Sequence, residues 1–204
     1  MIKELAGNSW LTFKGVITMR VIALLSFFFA SLTCADWQIE SDSSSLHFMS
    51  VKNSTFAEMH SFDQVMGSIK GTHLSISIPL GSVNTLIPIR NERMLNMLFN
   101  AEANPNATFM ATLMQDFTAL KEGESTLADI AGQLTISGAT AGTTFSVRVT
   151  KTSEGALNAV TVKPTVLNAA SFKLADGVEA LRNIAMLQTI SPVVPVTFDV
   201  TFVE

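Results

Sequence analysis

Apolar and polar residues alternate along much of this chain, and that pattern restricts the fold more than any other feature of the sequence. Leu74, Ile76 and Ile78 alternate with serines, and the segment from Val196 to Val203 alternates in the same way. A period of two places every second side chain on the same face of a β-strand. We therefore predict a mainly β domain whose strands turn their apolar faces toward a common interior.

Residues 130–140 (IAGQLTISGAT) predict a β-hairpin. Ile130, Leu134 and Ile136 are the apolar positions, and Ser137 and Gly138 supply the tight turn. Further predicted strands cover residues 37–40, 45–52, 56–66, 74–78, 107–114, 143–150, 157–162 and 196–203. A chain of many short antiparallel strands, with strands at both ends, favours a closed barrel because closure removes unpaired sheet edges.

Two short helices interrupt the predicted strands. Leu95, Leu98 and Phe99 have the spacing of one buried helical stripe, which predicts a helix over residues 90–99. Residues 176–179 (DGVE) fit a capping box at the start of a second helix. The fold class is therefore an antiparallel barrel of about eight strands with two short helices, and such a barrel encloses either packed side chains or one ligand.

The first 35 residues fit a secretory signal peptide. Arg20 precedes a short apolar run, residues 21–30, and small residues follow as far as Ala35. The run is shorter than the roughly 20 apolar residues that span a bilayer. We therefore expect cleavage after Ala35, an exported protein in the periplasm or outside the cell, and no transmembrane segment after cleavage.

The start and the class of this leader each leave an alternative. Met19 is the expected first residue, with residues 1–18 an over-extended start, and a longer leader is the alternative. Cys34, the only cysteine, leaves open a lipoprotein signal, although the residues before it depart from the usual pattern. Cleavage after Ala35 leaves a single domain, residues 36–204, which without cysteine depends on its core for stability.

Charge and motifs bear on the function classes. The net charge is −4 and no Lys/Arg run follows Arg20, which argues against nucleic acid as a partner. His47, His60 and His73 are evenly spaced, so a metal-dependent enzyme stays open as an alternative, but no further ligand motif accompanies them. The chain has no Gly-x-Ser-x-Gly motif. We predict no enzyme, no catalytic residue and no metal.

Three segments, in this order along the chain, resemble one known family. They are Ser82-Val83-Asn84-Thr85, the stretch from Arg90-Asn91-Glu92-Arg93 through Phe99 to Asn104-Pro105-Asn106-Ala107-Thr108-Phe109, and Gly132–Thr140, which is similar to Gly-x-Leu-Thr-x-x-Gly-x-Thr. Together they resemble the YceI-like lipid- and polyisoprenoid-binding proteins over essentially all of residues 36–204. One departure is Arg90-Asn91, where the family carries Arg-Asp.

The resemblance implies an extended, lipocalin-like barrel that holds a polyisoprenoid chain, such as an isoprenoid quinone or another long-chain lipid, without a covalent bond. The residues expected to line the ligand are Phe48, Phe56, Leu74, Ile76, Ile78, Met94, Leu98, Phe109, Ala111, Leu134, Ile136, Phe145 and Phe198. Arg90 would form a salt bridge or meet a polar head group. The alternative function is a stress-response or interaction module with a packed core and no ligand, and a second copy of the chain stays open as a partner.

Overall fold

The computed structural model describes residues 36–152 and 155–204. The predicted leader, residues 1–35 with Cys34, lies outside the described residues, so its cleavage stays a prediction. The two α-helices are α1, Pro88–Arg93, and α2, Ala175–Ile184. The strands are β1 Asp36–Ile39, β2 Ser45–Lys52, β3 Phe56–Phe62, β4 Met66–Lys70, β5 His73–Pro79, β6 Val83–Asn84, β7 Asn106–Thr112, β8 Ser125–Ile136, β9 Ala139–Lys151, β10 Leu157–Thr161, β11 Thr165–Asn168 and β12 Val193–Val203.

These strands close into an antiparallel barrel with eight strand positions. Four positions are each filled by two successive strands: β1 with β2, β3 with β4, β5 with β6, and β10 with β11. The order around the barrel is β1/β2, β3/β4, β5/β6, β7, β8, β9, β10/β11 and β12, and β12 pairs with β1 and β2 to close the ring. The predicted fold class, a mainly β closed barrel with two short helices, is confirmed.

The predicted single strand over residues 56–66 is wrong, because the chain leaves the strand between β3 and β4. The Asp63 N–H donates to the Ser82 carbonyl across 2.9 Å, and the Val65 N–H donates to Ser41 Oγ across 3.4 Å. Both acceptors lie in 3₁₀ turns, one between β1 and β2 and the other between β5 and β6. Three neighbouring strand positions are thus interrupted at the same height along the barrel, and hydrogen bonds join the three interruptions.

The helix predicted over residues 90–99 exists but changes its winding. It begins at Pro88, whose missing N–H costs nothing at the first helical position. After α1 the chain continues as a π-helix over Met94–Phe99, which we call the π segment. Asn100 ends it with a φ of 47°, a left-handed conformation that asparagine tolerates better than most residues.

The predicted capping box before α2 is wrong. Helix α2 begins one residue before Asp176, so that carboxylate lies inside the first turn, and the residue before the helix, Leu174, has no side-chain oxygen to cap it. A 3₁₀ turn over Ala169–Phe172, ended by Lys173 with a φ of 56°, stands two residues before α2. Glu179 instead accepts a hydrogen bond of 2.8 Å from Arg182 on the same helix.

Both helices lie over the end of the barrel that carries the β8–β9 turn. Ser137 in that turn donates from Oγ to the Phe99 carbonyl across 2.8 Å. Helix α2 approaches the π segment closely at Gly177, where an added Cβ would lie 2.7 Å from the Met97 carbonyl oxygen. We call this end of the barrel the helical end and the opposite end the far end.

Candidate functional site

The barrel interior encloses a cavity of about 170 Å³ whose lining side chains are all apolar. Every second residue of β12 from Val196 to Phe202 faces it, and so do Leu74, Ile76 and Ile78 of β5. A lining without hydrogen-bonding groups favours hydrocarbon, because a polar group placed there would lose its water without gaining a partner.

Nine of the thirteen residues predicted to contact a ligand line this cavity. They share the inward faces of their strands and are Phe48, Leu74, Ile76, Ile78, Phe109, Leu134, Ile136, Phe145 and Phe198. The structure therefore brings together residues from six strands that are far apart in the sequence. That they contact a ligand stays a prediction.

The other four predicted residues lie outside the cavity lining. Phe56 stands next to the β2–β3 turn with 64% of its surface exposed. Met94 and Leu98 belong to the π segment and pack against the core from the helical end. Ala111 also packs against the core, but its single methyl group does not reach the cavity.

Sequence reasoning missed most of the wall formed by β9, β10 and β12. The missed residues are apolar, lie on the same inward faces and include Val147, Val149, Leu157, Ala159, Val196, Val200 and Phe202. The signal that could have found them is the period of two, because β12 alternates strictly and β9 alternates over its second half.

A chain of aromatic rings crosses the interior. The Phe145 ring lies between those of Phe109 and Phe198, with centroid separations of 5.0 and 5.4 Å and near-perpendicular planes in the first pair. Edge-to-face contacts of this kind are favourable. Phe48 packs on Phe62, with ring centroids 5.4 Å apart.

The far end of the barrel is filled by side chains. Trp37 and Phe117 are 2% and 5% exposed. The ammonium group of Lys151 lies 4.7 Å from the centroid of the Trp37 ring and donates to the Thr118 carbonyl across 3.2 Å. The cation thus covers the aromatic ring and helps to close this end of the barrel.

Polar side chains gather at the helical end, on the inward faces of β2 and β3. The Glu58 carboxylate accepts hydrogen bonds from Lys52 Nζ across 2.6 Å and from Arg90 Nη1 across 2.8 Å. His60 is 5% exposed, and its Nε2 shares a hydrogen bond of 2.9 Å with Ser50 Oγ. Of the two roles expected for Arg90, the salt bridge is therefore formed. We call Ser50, Lys52, Glu58, His60 and Arg90 the polar cluster.

The surroundings set the charge states in this cluster. The hydrogen bond from Lys52 lowers the pKa of Glu58, and the positive charge of Arg90 acts in the same direction. Burial lowers the pKa of His60, and the nearby Arg90 guanidinium adds to that effect. At neutral pH Glu58 is therefore ionised and the His60 ring is uncharged.

The three histidines do not converge. His47 pairs with Ser61 and His60 pairs with Phe48, so the two rings lie on opposite faces of the β2–β3 pair. His73 begins β5 and is exposed. Within residues 36–152 and 155–204, no group of three His, Cys, Asp or Glu side chains could hold a metal ion. In the same residues, no helix combines the length and the apolar character needed to cross a bilayer.

Comparison with known proteins identifies the family. The model of the YceI-like domain matches residues 37–202. The chain belongs to the YceI-like family. A polyisoprenoid-binding domain from Saccharophagus degradans, implicated in plant cell wall breakdown, has a similar structure, with 31% identity, a TM-score of 0.78, and coverage of 81% of this chain and 97% of that chain.

A second solved structure supports the YceI-like fold alone. Burkholderia cenocepacia BcnA is 16% identical, with a TM-score of 0.57 and coverage of 80% of this chain and 98% of that chain. No curated protein sequence matches this chain significantly. Family membership and the cavity together indicate a lipid-binding protein and favour a binding role over an enzymatic one.

One departure from the YceI-like sequence pattern has a structural explanation. Asn91 stands where the resemblance led us to expect Asp, and its Oδ1 accepts hydrogen bonds from the Thr85 N–H across 2.9 Å and from the Thr85 hydroxyl across 2.6 Å. Thr85 is buried. Because both bonds need only an acceptor, an amide oxygen replaces the carboxylate and fixes α1 to the residue that follows β6.

Proposed function

We propose that this YceI-like protein is exported and carries a polyisoprenoid or another long-chain lipid in its barrel, held without a covalent bond. The observation that carries the proposal is the cavity, which lies inside a closed barrel and is lined by apolar side chains alone. The 31% identical polyisoprenoid-binding domain supports the same ligand class, and the signal-peptide pattern of residues 1–35 supports export.

Burial of the lipid chain supplies the affinity. Each methylene group removed from water contributes about 0.8 kcal/mol, so a long chain needs few polar contacts. A cavity of about 150 Å³ holds a molecule the size of benzene, and the cavity here is about 170 Å³. A whole isoprenoid chain therefore requires lining side chains to turn aside, among them the ring of Phe145, which lies between those of Phe109 and Phe198. A single copy encloses the cavity, so the proposal needs no dimer.

The proposal is tested by extracting the protein, purified from its own organism, with organic solvent and identifying the released lipids by mass spectrometry. We expect an isoprenoid lipid at near-stoichiometric amount. In Ala159→Phe a ring is added inside the cavity, and the bound lipid should fall severalfold. In the matched control Val160→Phe, the ring is added on the outer face of the same strand, and the lipid should be retained. Extracts without lipid, or equal lipid in both variants, would instead favour a packed interaction module.

A further inference from the structure

The inward face of the β2–β3 pair changes from apolar to polar toward the helical end. Phe48 and Phe62 line the cavity, and the next inward positions on the same strands are Ser50 and His60, followed on β3 by Glu58. The rings of Phe48 and His60 are in contact, with centroids 5.1 Å apart. The polar cluster therefore begins where the apolar lining ends.

His60 carries a ring nitrogen that the described residues leave without a partner. Its Nδ1 is buried and has no hydrogen-bond partner, whereas its Nε2 is bonded to Ser50. A buried polar atom in this state is unfavourable and calls for an explanation. The one other such side-chain atom in residues 36–152 and 155–204 is Trp37 Nε1, which lies at the filled far end.

The charged members of the cluster are already paired with one another. Lys52 and Arg90 both bind Glu58, and the His60 Nε2 lies 4.0 Å from the same carboxylate. Neither cation is left without an acidic partner, which argues against an anionic head group as the main ligand. The His60 Nδ1 can still form one hydrogen bond. Because the imidazole ring is uncharged, an uncharged oxygen atom suits this bond.

We infer that His60 Nδ1 binds the oxygen of an uncharged lipid head group, a hydroxyl or a carbonyl, while the hydrocarbon chain lies in the cavity. This inference rests on the proposed function and adds the head-group class and the residue that recognises it. The tautomer of the His60 ring decides whether Nδ1 can bind a carbonyl oxygen as well as a hydroxyl. If Nε2 accepts from Ser50, Nδ1 is a donor and binds either oxygen, and if Nε2 donates, Nδ1 is an acceptor and binds the hydroxyl alone.

Three lipids that share one chain test this. Phytane is a hydrocarbon, phytol carries a hydroxyl group on the same carbon skeleton, and phylloquinone carries a quinone. The full-length protein as purified is equilibrated with an equimolar mixture in detergent micelles, separated by gel filtration and extracted. Mass spectrometry then gives the ratio of each bound lipid to phytane, corrected for the ratio in the micelles. We expect phytol to be enriched roughly three- to tenfold, the range for one neutral hydrogen bond.

Variants assign that preference to His60. His60→Phe keeps a ring but removes the nitrogen, so the enrichment should vanish while phytane binding persists. His60→Gln keeps a hydrogen-bonding group and should restore part of the enrichment. His47→Phe is the matched control, because His47 lies on the outward face of the neighbouring strand. Circular dichroism checks that each variant is folded.

The outcomes separate this inference from the proposed function. Enrichment of phytol alone, or of phytol and phylloquinone, that is lost in His60→Phe supports the inference and identifies the oxygen. Equal binding of all three lipids by the unmodified protein, or enrichment that survives in a folded His60→Phe, overturns it and leaves the lipid-binding proposal standing. If the unmodified protein binds none of the three lipids, both proposals fail.

Discussion

Gly132 on β8 is the position where one added methyl group should disturb the interior most. An added Cβ would overlap the Met110 carbonyl oxygen and lie 2.6 and 2.8 Å from two atoms of the Phe109 ring. The carbonyl belongs to a hydrogen-bonded strand and cannot rotate away. Movement of the Phe109 ring would disturb its edge-to-face contact with Phe145. Gly132→Ala should therefore destabilise the fold through local overpacking.

The expected net loss of unfolding free energy is about 1 kcal/mol. Overpacking a core typically costs about 1–3 kcal/mol, and replacing glycine by alanine in a strand returns about 0.5–1 kcal/mol by restricting the unfolded chain. Urea unfolding followed by Trp fluorescence measures the difference. With an m-value of about 1–3 kcal/mol/M, the midpoint should fall by roughly 0.5 M.

Gly142 provides the matched control. It lies on β9, adjacent to β8, and an added Cβ would meet no atom within 4 Å. Gly142→Ala should therefore be neutral or stabilise the protein by up to about 1 kcal/mol. If both variants unfold at the same urea concentration, the close approach of Phe109 to Gly132 does not exist in solution, and the reasoning about the interior is refuted.

Two further predictions concern His60 and Asn91. Burial lowers the pKa of His60 below its unfolded value of about 6.5, so the unfolded state takes up the proton first. The stability contributed by the neutral His60 ring is therefore complete above about pH 6.5 and is lost as the pH falls from there through the lowered pKa. Urea unfolding from pH 7.5 downward should show a smaller fall in unfolding free energy in His60→Gln than in the unmodified protein, and an equal fall in both would contradict a neutral buried ring. Asn91→Leu leaves the buried Thr85 N–H without its acceptor and should cost about 1–3 kcal/mol, whereas Asn91→Asp should stay close to the unmodified protein; equal loss in both would show that the acceptor is not what matters.

The alternating pattern was enough to predict the barrel. Strict alternation along β5 and β12 indicates strands with one buried face, and the number of such segments favours closure. The interruption at Asp63 could not be predicted, because it depends on hydrogen bonds to Ser41 and Ser82, which belong to turns elsewhere in the chain. The short strand β11 carries little alternation of its own and exists because it pairs with β12.

The polar cluster was beyond sequence reasoning for a similar reason. Arg90 and Glu58 are 32 residues apart, and only the packing of α1 beside the β2–β3 pair joins them. The sequence shows three evenly spaced histidines, but not that one of them is buried with a free ring nitrogen. The capping box before α2 failed because the tertiary path of the preceding 3₁₀ turn, and not the local sequence, fixed the first residue of the helix.

The central claim is that the barrel binds lipids through the length of chain it buries. The direct test is the dissociation constant for geraniol, farnesol and geranylgeraniol, which share a head group and differ by one isoprene unit each. The dissociation constant should fall steeply along this series, by about fourfold for each methylene-sized group buried, until the interior is filled, and it should change little with salt. Equal dissociation constants for all three alcohols would contradict the claim.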